Sequence, residues 1–203
     1  MSLENRIKVG ALAVMNCSLR LNEPSNIKPG WKSTDLNKKE VELREKSREL
    51  AQKIYADLTK AIPSSAGSVG KIAAQMAAYD ETFKDHKYGR CMTYAAITGR
   101  FIKNCGVPCK MVTVLMNDID DSTNEHVFIV MGDSVSQGQD CANWDGNTVV
   151  CDEWISRHPK SLKNALGNIG IYKGSEFSEE LKRLGYSTNV MRVIEIYAIK
   201  VDV

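Results

Sequence analysis

The feature that most limits what this chain can fold into is a change of period soon after residue 104. Residues 91–104 read as one buried helix, with Thr93, Arg100 and Asn104 on a single polar stripe and Ala95, Ala96 and Phe101 lying off it. Gly106 and Pro108 stop that pattern. Three short apolar runs follow, Cys109–Met116, Val127–Met131 and Thr148–Cys151, separated by polar or glycine-rich turns at 117–125 and 132–147. Runs of this length between such turns predict antiparallel strands. A helix followed by a strand meander predicts an α+β fold, the helix packed on the sheet.

The remaining segments add helices before and after that core. Leu43, Leu50, Ile54 and Leu58 recur at helical spacing among charged residues, so a solvated helix is expected from Asp35 or Asn37 to about Ala61, ended by Ile62-Pro63. Ser64–Gly70 reads as a turn, and a second helix is expected over 71–84. Further short helices are expected at Pro159–Leu166 and Ser178–Leu184, with a final strand at Met191–Val201. Residues 17–36, rich in Pro, Gly, Asn and Ser, are expected to be irregular. The chain is thus expected to form a single domain over 1–203, with its catalytic core at about 85–160 and a helical N-terminal extension at about 35–84.

The apolar run Val9–Met15 after Arg6 and Lys8 invites comparison with a cleavable leader. It is short, Glu4 sits in the would-be basic segment, and Asn16-Cys17 lacks the small residue a cleavage site needs. No cleavable signal peptide is recognised, and the run is expected to be a buried strand or an ordered N-terminal segment. No other apolar stretch approaches the roughly 20 residues of a membrane span. A net charge of +2, with 43% hydrophobic and 26% charged residues, gives no strong pull toward nucleic acid or acidic membranes. The chain has six cysteines, and Cys109 and Cys151 lie inside apolar runs where a reduced thiol behaves as a small hydrophobe. Reduced cysteines suit a cytoplasmic protein or an effector injected into a host cell.

One of those thiols is placed for chemistry. A thiol attacks as its thiolate, and the first turn of a helix favours that anion through the backbone dipole and free N–H groups. Cys91 follows Gly89-Arg90 and opens the helix, and its own N–H is a natural oxyanion donor. His126 begins one strand and Asp152 ends the next. In adjacent antiparallel strands these two ends lie side by side, so Asp152 can orient the imidazole while His126 serves Cys91 as base. Asp145, in Trp144-Asp-Gly-Asn147, is the rival carboxylate and reads as a turn residue. His86 and His158 read as surface residues.

These residues carry a resemblance. Gly89-Arg-Cys-Met-Thr-Tyr-Ala95 resembles the Gly-x-Cys-x-x-aromatic-Ala nucleophile motif of transglutaminases. Cys105-Gly-Val-Pro-Cys-Lys-Met-Val-Thr113 resembles the Gly-Ile-Pro-Ala-Arg-Val-Val segment of that superfamily, Glu125-His-Val-Phe-Ile-Val130 its His-Ala-Trp-Val strand, and Val149-Val-Cys-Asp-Glu-Trp154 its Val-x-Asp-Pro-Trp ending. The resemblance spans Cys91 to Trp154 with its flanks. It implies a papain-like, transglutaminase-like core and a Cys91, His126, Asp152 triad, and it suggests Trp154 as a wall of the substrate cleft, a hydrophobic plug being the other reading of that residue. Three departures stand out. Glu153 takes the place where proline is common, Arg90 replaces the glutamine of animal transglutaminases, and no tryptophan shortly precedes Cys91 to supply a second oxyanion donor.

The expected reaction is thiol attack on an amide of a protein substrate, with His126 protonating the departing amine and a thioester left behind. The chain is most similar to the bacterial toxin and effector deamidases or proteases of the superfamily, which favours hydrolysis: a glutamine deamidase or a thiol protease, with a host protein as the substrate and virulence as the setting in the effector case. Alternatives are a transglutaminase using an amine acceptor and a catalytically silent module that binds a protein. No cofactor or metal is called for. Cys105 and Cys109 with Cys141, Cys151 or a histidine make a poor zinc set because no second close pair faces the first, and Asp118–Glu125 lacks the glycine of a calcium loop.

Overall fold

A computed structural model describes residues 1–21, 23–24, 35–63, 67–116, 125–157 and 170–196. The chain enters as helix α1, Leu3–Arg20, so of the two expectations for the apolar run the ordered N-terminal segment holds and the strand does not. Ser2 caps it by accepting the Asn5 N–H at 3.4 Å, and Glu4 sits in the first turn where the helix dipole favours an acid. Gly10, Ala13, Val14 and Cys17 bury at helical spacing. The helix runs through Cys17–Arg20, so the first residues of the segment expected to be irregular are helical, and residues 25–34 of that segment lie outside the described residues.

Helix α2 (Asp35–Ala61) follows with the bounds the sequence predicts, while helix α3 (Ser68–Thr82) takes in Ser68–Gly70, expected to be part of a turn, and ends ahead of residue 84. A two-residue parallel bridge joins β1, Glu23–Pro24, to β2, Tyr88–Gly89, just ahead of helix α4, Cys91–Asn104. Gly89 is needed there, since a Cβ would stand 2.8 Å from Cβ of Thr93.

Beyond α4 lie β3 (Cys109–Met116), β4 (Glu125–Met131), β5 (Val149–Cys151), helix α5 (Glu153–Ser156), β6 (Ile171–Lys173), helix α6 (Gly174–Arg183) and β7 (Tyr186–Ile196). The sheet runs β6-β5-β4-β3-β7, every pairing antiparallel. The architecture is therefore α+β, with six helices and a five-stranded antiparallel sheet among the described residues.

The later elements depart from expectation. Strand β6 went unpredicted because three residues between Gly170 and Gly174 are too few to show a period. Helix α6 starts at Gly174, four residues before Ser178, because the Glu176 carboxylate accepts the Lys173 N–H at 3.3 Å and fixes the first turn there. Strand β7 begins at Tyr186, ahead of the expected Met191, because β3 supplies partners as far as Met116. The helix expected at Pro159–Leu166 and the residues after Ile196 lie outside the described residues. The hydrophobic core draws on α1, β6 and β7 as well as on the elements within 85–160.

Helices α4 and α1 cover one face of the sheet. Gly99 of α4 approaches Ile129 so closely that a Cβ would lie 2.8 Å from its Cδ1, and Gly10 of α1 stands in the same relation to Cys151 and Met131. On the other face Phe128 packs against Trp144 and against Phe177 of α6. Among the described residues no helix is long and apolar enough to cross a membrane.

Candidate active site

Three elements converge where β4 begins. Helix α4 brings Cys91 as its first residue, after Arg90 in extended conformation. The backbone N–H groups of that first turn have no intrahelical acceptor, so they face outward as donors. Cys91 is buried but keeps 8% of its surface exposed, and its Sγ lies 3.8 Å from the Glu125 carbonyl oxygen at the start of β4.

The next residue, His126, is wholly buried. Its Nε2 donates to Oδ2 of Asp152 across 2.5 Å. Asp152 stands where β5 passes into α5 and is held independently of the histidine. Its Oδ1 accepts the Ile155 N–H at 2.9 Å as cap of α5, and its own N–H donates to the Gly170 carbonyl at 2.7 Å. A carboxylate fixed this way sets the ring plane of the imidazole.

With Nε2 engaged, the free ring nitrogen is Nδ1, which is buried and has no hydrogen-bond partner. Cys91 is its ionisable neighbour. Burial alone would push the imidazole toward its neutral form. The Asp152 charge and hydrogen bond, joined by the Cys91 thiol, outweigh that and raise His126 to about 10. The arrangement favours an imidazolium beside sulfur. In the neutral pair the thiol hydrogen is directed at the Glu125 carbonyl, and a turn about the Cys91 side chain brings it to Nδ1, where its transfer forms that ion pair.

Three aromatic rings wall the imidazole: Trp154 with its centroid 4.9 Å away, Tyr186 at 5.1 Å and Phe128 at 5.6 Å. Trp154 is 3% exposed, so its ring is used in covering His126. Tyr186 comes from the first position of β7, far away in sequence, and no local motif announces it. Burial, with the nearby Cys91 and Asp152 charges, pushes its hydroxyl well above the ordinary tyrosine value, so it stays protonated. Glu153 is the other residue the sequence did not single out for a role. It is 5% exposed, and its Oε1 accepts from Ser18 at 2.5 Å and from Arg157 at 2.6 and 2.7 Å.

The rival residues lie elsewhere. Asp145 is exposed in a turn, accepting from Ser134, Asn147 and Thr148, and these hydrogen bonds lower its carboxyl. His86 packs edge-on against Phe83, and His158 lies outside the described residues. Cys17, Cys109, Cys141 and Cys151 are buried in the core, which pushes the first three up to about 12 and the last higher still. Cys105 alone is exposed among these free thiols. Among the described residues no group of three or more His, Cys, Asp or Glu is arranged to hold a metal ion. A cavity of about 400 Å³ opens at Met1, Arg6, Pro108, Lys110, Asp133 and Glu195, and none of Cys91, His126 or Asp152 borders it.

Compared with known proteins, the chain matches no family model, and no curated protein and no solved structure shows a significant match to it.

Proposed function

We propose that this chain is a cysteine-dependent amide hydrolase acting on a protein substrate, a glutamine deamidase or protease built on a transglutaminase-like core. The observation that carries the reading is the buried His126–Asp152 pair, whose free Nδ1 is left for the thiol at the head of α4. A histidine placed only for packing has no use for a carboxylate on one nitrogen and a reactive sulfur beside the other. The order of elements supports the same core: nucleophile helix, then a strand, then a strand opened by the histidine, then a strand closed by the aspartate.

In the proposed reaction the Cys91 thiol gives its proton to His126, and sulfur attacks the amide carbonyl. The oxyanion is met by the N–H groups at the start of α4. His126 then protonates the leaving amine or ammonia, and Asp152 stabilises the imidazolium throughout. Water resolves the thioester, with His126 taking its proton, to give a carboxylate and the free thiol.

Limiting iodoacetamide on the native protein tests the reading, with exposed Cys105 as the internal control. Cys91 should alkylate first despite being less exposed, and His126→Ala should abolish its lead. Equal or slower labelling of Cys91, unchanged by His126→Ala, would sink the proposal. Incubation with a cell lysate, read by mass spectrometry against Cys91→Ala, then separates glutamine-to-glutamate conversion from chain cleavage and from amine incorporation.

A further inference from the structure

We propose that Glu153 is a positioning residue, whose carboxylate ties α1 to the turn bearing Asp152 and so holds in register the carboxylate that orients His126. The inference rests on the hydrolase reading above but is argued from different residues. Glu153 follows Asp152 directly, and its Oε1 gathers the Ser18 hydroxyl of α1 at 2.5 Å and the Arg157 guanidinium at 2.6 and 2.7 Å. The Ser156 hydroxyl donates to the Glu153 carbonyl at 2.8 Å and approaches Oε2 at 3.4 Å. From α1 the Cys17 thiol also lies within the field of this carboxylate, whose charge helps to raise it.

The same end of α1 grips the nucleophile helix. Cys17 Sγ donates to the Tyr94 carbonyl at 3.8 Å, and the Tyr94 hydroxyl donates to the Leu21 carbonyl at 3.2 Å. One helix thus touches both halves of the site, α4 through Tyr94 and the Asp152 turn through Glu153. Behind Glu153 the space is closed, because a Cβ on Gly170 would stand 2.8 Å from its Cα, and the Gly170 carbonyl accepts the Asp152 N–H. The turn has little freedom once Ser18 is bound.

Stability alone does not account for this carboxylate. Burial raises it above the ordinary glutamate value, even against the opposing pull of Ser18, Arg157 and Ser156, so its charge costs the fold more than its partners return. A nearly isosteric amide relieves that cost. What an amide cannot keep is the ionic link to Arg157, and with it the fixed direction of the turn.

The test compares wild type, Glu153→Gln, Ser18→Ala, Asp152→Asn and the double variant Glu153→Gln/Asp152→Asn. Three quantities are read: melting temperature, the Cys91 to Cys105 alkylation ratio, and the His126 ring titration by nitrogen NMR. The expected result is that Glu153→Gln melts no lower than wild type near neutral pH, while the alkylation ratio falls about tenfold and the His126 titration moves down. Ser18→Ala should move both site readouts in the same direction. In the Asp152→Asn background, Glu153→Gln should add nothing, because a residue that acts through Asp152 is silent without it. A lower melting temperature with an unchanged ratio and unchanged titration would make Glu153 an ordinary structural ion pair and overturn the inference. If wild-type Cys91 shows no lead over Cys105, the hydrolase reading fails, and the His126 titration still decides whether Glu153 acts on the pair.

Discussion

Asp152 receives the Nε2 proton of His126 at 2.5 Å with both side chains out of solvent, while its second oxygen caps α5 through the Ile155 N–H. One carboxylate therefore does two separable things. Asp152→Asn keeps an acceptor for the cap but removes the charge and permits the wrong imidazole tautomer. We expect it to fold and to lose roughly 10²–10⁴-fold in turnover and in Cys91 alkylation rate. Asp152→Ala should lose as much and in addition melt lower, by about 1 kcal/mol for the cap alone. Parallel melting and alkylation curves for the two variants separate these effects.

The buried pair also fixes a pH dependence of stability. His126 is raised from 6.5 to about 10, so the folded state binds a proton that the unfolded state releases over that interval. The resulting stabilisation is fully present below 6.5 and is lost as pH climbs through about 10. Wild type should therefore out-melt His126→Gln by several degrees at about pH 6, with the gap closing toward about pH 10. A gap that widens with pH would contradict the assigned charge state.

How much of this was legible beforehand depends on where each partner sits in the chain. His126 and Asp152 could be paired because antiparallel order places the start of β4 beside the end of β5, and Cys91 could be placed because glycine and a helix start are local signals. Tyr186 could not, since it reaches His126 through the pairing of β7 with β3 across an intervening stretch of some 70 residues. Glu153 stood out only for taking the place where proline is common, and its partner Ser18 lies on a helix whose apolar run suggested a strand or an ordered segment. In α1 the alternation expected of a strand is absent. Its buried set of Gly10, Ala13, Val14 and Cys17 has the helical period, and the apolar character of Leu12, Met15 and Leu19 on the exposed side masked it.

Tyr186 should act through its ring. The contact with His126 is made by the rings, whose centroids lie 5.1 Å apart with their planes tilted by 38°, so Tyr186→Phe preserves it and is expected to change stability by no more than about 0.5 kcal/mol. Tyr186→Ala removes one wall of the imidazole and leaves a void, which should cost about 2–3 kcal/mol and admit water beside Nδ1. The Cys91 alkylation rate should stay near the wild-type value in the Phe variant and fall in the Ala variant. If the two variants fall equally, the hydroxyl rather than the ring is the active part.

Gly170 is the position where backbone shape and chemistry meet. Its φ of +75° lies in the left-handed region, and a Cβ there would meet Cα and N of Glu153 at 2.8 and 3.0 Å, both backbone atoms that cannot swing aside. Gly170→Ala therefore carries about 1–2 kcal/mol for the dihedral alone. The clash adds to this, giving an expected loss of about 2–4 kcal/mol in denaturant unfolding. The displaced atoms belong to the residue after Asp152, and the Gly170 carbonyl is the acceptor for the Asp152 N–H. The variant should therefore lose Cys91 reactivity even at temperatures where it remains folded. Gly138→Ala makes the control: its φ is +80°, but a Cβ there meets nothing within 4 Å. It should pay only the dihedral cost and keep the full alkylation rate, and an equal loss of reactivity in both variants would mean that general destabilisation, not the Asp152 turn, is being measured.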